Sequence, residues 1–285
     1  MAEQLFIAVE NLFSVAMFPG HTVSAEEEPS GYEAHQVANG RRASQYRWQA
    51  STADSESYIQ VRCDEVRGAN CLILDRGHNL ATEQIILRGS NDNWATYRDV
   101  LTITLPSVVG GSFSGALGCV TTEGAWIKTF DAEAYYDWRL VISAMGSGLV
   151  PQIVGLWLGM AWMPTAKTSY LPVDDQNYAV TFTDSISPFT WAGQSERASP
   201  REGVLRLRHH ENDGYDDVVQ WQVRDLWARR GFAAWICQLR TDAPENAFLA
   251  RVPAGTIRYD SNFPQWSGGR TLDVPFIEDQ VSVTV

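Results

Sequence analysis

Two segments, Ser57 to Asp92 and Tyr135 to Trp162, set the tightest limit on the fold. The first reads SYIQVRCDEVRGANCLILDRGHNLATEQIILRGSND: short apolar runs broken by turn residues, then a Gly-Ser-Asn-Asp loop. The second, YYDWRLVISAMGSGLVPQIVGLWLGMAW, repeats that pattern around Gly146-Ser147-Gly148. Tyr58, Ile59 and Val61 form one run, Leu72 to Leu74 another and Ile85 to Leu87 a third. Val100 to Leu105 alternates polar with apolar residues, as a half-buried strand does. Trp126 to Phe130, Trp138 to Ile142 and Val154 to Leu158 continue the series. Many short strands punctuated by turns predict an antiparallel β-sandwich of jelly-roll type.

A chain of 285 residues accommodates one large domain or two modest ones. MPTAKTSYLPVDD, residues 163–175, carries two prolines and few large apolar groups, and predicts a boundary. The expected division is 1–163 for the sandwich and 164–285 for a smaller β-rich domain. That second part holds a helix signal, DDVVQWQVRDLWARRG, over residues 216–231. Val219, Val223, Leu226 and Trp227 form its stripe, the acids lie at its start, and Gly231 suits its C-cap. Val204 to Leu207, Phe232 to Leu239 and Phe248 to Val252 read as strands around it.

The balance is acidic, with 34 Asp and Glu against 22 Lys and Arg. That excludes the basic footprint of a nucleic-acid binder. No stretch approaches the ~18 apolar residues of a membrane-spanning helix. The start, MAEQLFIAVENLF, lacks the basic head of a signal peptide. All basic residues except Lys128 and Lys167 are Arg, a bias that suits interfaces and equally follows from a GC-rich genome. Cys63, Cys71, Cys119 and Cys237 have no paired spacing and are expected as buried free thiols.

VANGRRASQYRWQAS, SYIQV, NCLILDRGHNLATEQIILRGSND and YDWRLVISAMGSGLVPQIVGLWLG together resemble the discoidin-like (F5/8 type C) sandwich over residues 1–162. The matching positions are Asn39, Gly40, Trp48, Asp75, Gly77, Ile85 to Asp92 and Trp138 to Leu140. The terminal cysteine pair of extracellular members is missing, D-R-G replaces D-L-G, and a strand-like piece, Val61 to Val66, precedes it. The later order of strand, helix ending L-W-A-R-R-G, F-A-A-W-I-C-Q-L and A-F-L-A-R-V resembles distal-tail proteins of long-tailed bacteriophages.

No catalytic set emerges, so no enzyme is expected. His209 and His210 are adjacent, and neighbouring side chains on a strand point apart, so a shared metal is not expected. Asp75-Arg76-Gly77-His78 reads as a turn. Glu26 to Glu28 beside Pro29 read as a solvated loop. No phosphate cradle, serine elbow or cofactor motif is present. Tyr46, Trp48, Trp94 and Tyr97, with Trp126 and with Asn91 and Asp92, form a candidate sugar-binding group, because aromatic rings and fixed polar groups recognise sugars. Core packing or subunit contact is the plainer account of the same rings.

The function these resemblances imply is a virion structural protein of a phage tail tip or baseplate. It would assemble from copies of itself with tube, hub or fibre proteins, and would contact host surface glycan as well. Arg224, Arg229 and Arg230 on the helix are its candidate interface residues. The alternative is a non-catalytic carbohydrate-binding module protein.

Overall fold

The structure, a computed structural model, describes residues 4–38, 47–52, 55–107, 112–114, 118–121, 124–145 and 148–162; beyond these it describes 182–183, 191–192, 202–208, Leu226, 233–239, 247–251, 258–260 and 271–278. The strands run in chain order as β1 (Gln4–Ala8), β2 (Thr22–Ala25), β3 (Trp48–Gln49), β4 (Ser57–Leu74), β5 (Gln84–Ser90), β6 (Arg98–Thr104), β7 (Ser112–Ser114), β8 (Gly118–Val120) and β9 (Trp126–Ile142). They continue as β10 (Gln152–Ile153), β11 (Leu156–Gly159), β12 (Phe182–Thr183), β13 (Trp191–Ala192), β14 (Glu202–Arg208), β15 (Ala234–Leu239), β16 (Ala247–Arg251), β17 (Arg258–Asp260) and β18 (Thr271–Glu278). Every pairing among them is antiparallel. The protein is mainly β, and its antiparallel sheets make the expected sandwich.

The large sheet has the order β11-β4-β9-β5-β6, with β2 on β4 and the β7–β8 pair on β9. Its spine is the ribbon of β4 and β9. The sequence predicts separate strands here, yet β4 is 18 residues long and β9 is 17. The register shifts between Arg62 and Arg67 and again between Ala69 and Cys71. These irregularities interrupt the apolar pattern without ending the ladder. The strand-like piece Val61 to Val66 is therefore part of β4 and not an insertion.

Alternation along β4 shows which faces are covered. Ser57, Ile59, Val61 and Cys63 are buried, whereas the side chains between them reach the surface, as period two requires. From Cys71 to Leu74 all four are buried. Leu72 and Leu74 join the main core, with Trp48, Trp126, Trp138 and Leu156. Cys71 and Ile73 point the other way, into a second apolar layer with Ile127, Trp157, Trp235, Cys237 and Leu249. An uninterrupted apolar run marks a strand covered on both faces. Trp157 and Trp235 meet edge-on in this layer, ring centroids 6.1 Å apart.

The second layer comes from a six-stranded sheet of order β1-β15-β16-β18-β14, with β17 on β18. Its first strand is the start of the chain: Gln4 pairs with Leu239 and Ala8 with Trp235. The segment after β1 then follows β11. Ile7 and Trp162 exchange backbone bonds, and Leu12 N–H donates to Leu158 O at 2.8 Å. The Asn11 side chain bonds Leu156 O and accepts from Phe13 N–H. The buried run Val9 to Ser14 has no clear periodicity because it is irregular chain pinned by its polar groups.

The predicted linker at 163–175 lies outside the described residues, and so does the predicted helix at 216–231 apart from Leu226, which is buried. All four cysteines are buried and stand outside any disulfide.

Gly89 shows how closely the sheet is fitted. A Cβ placed there would stand 2.1 Å from Tyr135 Cδ2, and that ring stacks edge-on against Trp138 at 5.1 Å. Gly89→Val should therefore push Tyr135 off Trp138 and cost about 1–3 kcal/mol by overpacking. The urea midpoint would fall at unchanged slope; an unchanged midpoint would mean that Tyr135 swings away freely.

Candidate functional site

The loop from Ser90 to Arg98 joins β5 to β6 and folds back over the outer face of the large sheet. Asn93 and Trp94 both take the left-handed conformation, with φ of 56° and 69°, which costs non-glycine residues energy and needs support. Asp92 supplies it. Its carboxylate accepts from Thr96 N–H at 2.8 Å and from the Thr96 hydroxyl at 2.6 Å. Ser90 Oγ donates to it at 3.0 Å and accepts from Trp94 N–H, also at 3.0 Å. The Thr96 bonds hold the Asp92 carboxyl below its ordinary range.

Two flanking amides tie the loop to the sheet. Asn91 Oδ1 accepts from Tyr136 N–H at 2.9 Å. Asn93 Oδ1 accepts from Arg62 Nη1 at 2.9 Å. Because each amide oxygen is engaged by the protein, the NH2 donors are what the two residues present outward.

The rings are seated on arginines. Gln60, Arg139, Arg88 and Asp99 form one row across β4, β9, β5 and β6. The Arg139 guanidinium lies 3.9 Å from the Trp94 ring centroid and 3.9 Å from that of Tyr58. Gln60 Oε1 accepts from its Nε at 3.1 Å and its Nη2 at 2.7 Å. Burial pulls Arg139 below the ordinary guanidinium value. The Arg88 guanidinium stands 4.8 Å from the Tyr97 ring and is held by Asp99 and Glu56. Cation–π contacts of this kind fix the rings from beneath. Tyr97 remains 57% exposed and Tyr136 39% exposed.

The expected sugar-binding group is thus divided. Asn91, Asp92, Trp94 and Tyr97 share one loop, but Asp92 is its internal brace. Trp48 is fully buried, and its Nε1 donates to Glu27 O at 3.2 Å; a ring with no exposed face stacks no ligand. Trp126 is likewise buried in the core. Tyr46 lies outside the described residues, as do Arg224, Arg229, Arg230, His209 and His210. Tyr136 escaped the sequence reading because the pairing of β5 with β9 and the Asn91 bond, across 45 positions, bring it to the loop.

Asp75, His78, Glu27 and Glu28 make local structural bonds. Asp75 is fully buried, accepts from Arg76 N–H at 2.8 Å, and donates its own N–H to Gly155 O. His78 Nδ1 accepts from Leu80 N–H at 3.2 Å, and burial lowers that histidine to about 4. Glu27 and Glu28 accept backbone N–H groups of Ser51 and Ala25. Among the described residues no group of three His, Cys, Asp or Glu is arranged to hold a metal ion.

No family model matches the chain, and no curated protein does. Solved structures do resemble it. One is chitosan-binding module 1 from a chitosanase/glucanase of Paenibacillus sp. IK-5, at 19% identity and TM-score 0.39, covering 53% of this chain and 99% of that one. Another is CpGH89CBM32-5 from Clostridium perfringens in complex with GalNAc-beta-1,3-galactose, at 11% identity and TM-score 0.39, covering 50% and 96%. A third is a Ruminococcus gnavus GH29 fucosidase in complex with fucose, at 10% identity and TM-score 0.41, covering 54% and 27%.

Proposed function

We propose that this chain binds carbohydrate without chemistry, through the rim made by Asn91, Asn93, Trp94, Tyr97 and Tyr136. The observation that carries the reading is the braced loop, which holds Trp94 and Tyr97 on Arg139 and Arg88 before any ligand arrives. Rings fixed in advance lose little freedom on binding, so more of the contact energy is kept as affinity. Amide donors at Asn91 and Asn93 would bond ring hydroxyls while an exposed aromatic face covers the apolar side of the sugar.

The engagement of the acids around the rim supports the non-catalytic reading. Glycoside hydrolysis needs two carboxyl groups facing each other across the scissile bond. Here Asp92 is consumed by Thr96 and Ser90, Asp99 by Arg88, and Asp137 faces Arg62. A tail-tip role draws on Arg224, Arg229 and Arg230, and no feature of the described residues adds to it.

Glycan-array screening of the purified protein, followed by calorimetric titration of the best hit, tests the proposal. Tyr97→Ala should weaken that hit about tenfold, or about 1.4 kcal/mol, with Tm unchanged because the ring is largely exposed. Failure to retain any glycan, or full affinity in both Tyr97→Ala and Tyr136→Ala, would refute the assignment of this rim.

A further inference from the structure

Arg139 and Arg88 both seat rings of the rim, but they are bonded in different ways. We propose, on the reading of this rim as a glycan-binding surface, that the sugar taken here carries an anionic group, a carboxylate or a sulfate ester, and that the Arg139 guanidinium receives it beside the Trp94 and Tyr58 rings.

The two arginines stand directly opposite one another on β9 and β5. Like charges in that position destabilise a sheet, and a carboxylate beside each would offset the repulsion. Arg88 has two such partners, Asp99 at 2.9 Å and Glu56 at 3.4 Å. Among the described residues Arg139 is ion-paired with none. Its neighbour on the other side, across β4, is the neutral Gln60. Gln60 Nε2 donates to Ser24 Oγ at 3.0 Å, which turns Oε1 toward Arg139. Arg139 is thus a partly buried cation whose hydrogen-bond acceptor carries no charge.

The bonds already made leave a particular edge for a ligand. Gln60 Oε1 accepts from Nε and Nη2. No described residue accepts from Nη1, so the Nη1–Nη2 edge keeps parallel N–H bonds. Two oxygens of a carboxylate or a sulfate match that fork. The Trp94 and Tyr58 ring centroids each lie 3.9 Å from the guanidinium carbon. Their quadrupoles hold the cation in place but supply no countercharge, and both rings are themselves partly exposed.

The electrostatics around Arg139 agree with this geometry. Burial opposes its charge and Arg88 adds to that effect, against Tyr58, Glu26 and Glu56. An anion in contact would relieve both penalties, and partial burial screens such a pair less than open water does. The chain as a whole carries a net charge of −12, so its distant field does not draw anions in. Selection rests on the direct contact, within a Debye length of ~10 Å or less. A bound sugar would then lay its apolar face on Trp94 or Tyr97, with its charged group on Arg139.

Calorimetric titration of the full chain with matched pairs of sugars tests the assignment. The pairs are an oligogalacturonate and its methyl ester, sialyllactose and lactose, and a sulfated N-acetyllactosamine and its unsulfated form. At least one charged member should bind about tenfold or more tightly than its neutral counterpart. That preference should shrink as salt is raised from roughly 50 to roughly 300 mM. The three pairs separate uronate, sialate and sulfate as the source of the anion. Arg139→Gln should bring charged and neutral forms to equal affinity, and Arg139→Lys, which lacks the fork, should lose most of the preference. Neutral members bound as tightly as charged ones in every pair would overturn this proposal and leave the glycan-binding rim standing. An undiminished preference in Arg139→Gln would overturn it as well. Retention of no sugar of either kind would remove the rim reading, and this inference with it. The paired ligands meet one unaltered protein, so their comparison stands even where a variant disturbs the loop.

Discussion

Residues 1–163 expressed alone should fail to give a stable folded sandwich. Such a chain retains β4, β9 and β11 but loses β15 and β16, which cover their outer face. Ile73, Ile127 and Trp157, all buried, would return to water. Exposing three such side chains at about 1.5–3 kcal/mol each removes roughly 5–9 kcal/mol, comparable with the ~5–15 kcal/mol that holds a typical domain together. β1 would also lose its partner strand and present an open edge. Fluorescence-detected unfolding and amide proton dispersion of the fragment are the measurements. A cooperative melt within a few degrees of the full chain's would show that the second layer is dispensable. Trp157→Asp in the full chain reproduces the loss at one position, and should unfold it or lower its Tm steeply.

A second large effect concerns two buried groups that respond to pH with opposite sign. Burial raises Glu10 from 4.5 to about 7, with Arg67 pulling the other way. The folded state thus holds that proton more tightly than the unfolded chain. The resulting stability is complete below pH 4.5 and is lost as pH rises through about 7. Burial lowers His78 from 6.5 to about 4, against Asp75. Its contribution is complete above pH 6.5 and is lost as pH falls through about 4. Each shift corresponds to on the order of 3 kcal/mol. Between pH 4.5 and 6.5 the two slopes oppose one another, so urea-derived stability of the parent chain should be nearly level there. Glu10→Gln should expose a loss on acidification, and His78→Gln a loss on alkalinisation. If both variants stay as level as the parent, these two groups do not govern its pH response.

Much of the sandwich is legible in the sequence because period two and turn residues act locally. Ile59 and Val61, Ile85 and Leu87, and Leu140 and Ile142 declare their faces within a few positions. β4 and β9 read as fragments because Asp64, Glu65 and Val66 are exposed at a bulge, where polarity mimics a turn while the ladder continues. The all-apolar runs at 72–74 and 156–158 carry the signal of a second covering layer, but not the identity of what covers them. Nothing near Phe6 or Ile236 announces their sheet, because strand pairing over that separation leaves no local pattern. The loop Asn91 to Tyr97 is visible as a cluster of turn-formers and rings. Which of its side chains face outward depends on Arg139, Arg88 and Tyr136, and these are brought to it only by the completed sheet. Trp48 illustrates the converse: a tryptophan beside a turn signal is equally consistent with a rim and with a core.

The pairing of β1 with β15 also has a consequence in time. On the ribosome the first strand emerges long before residues 234–239 exist, and at ~5–20 residues per second the wait is on the order of tens of seconds. During that interval the covered face of β11 and the edge of β1 have no native partner. The nascent chain therefore passes through a stage in which β1 is best sheltered by a chaperone, and slower decoding between the two strands would lengthen its exposure to aggregation.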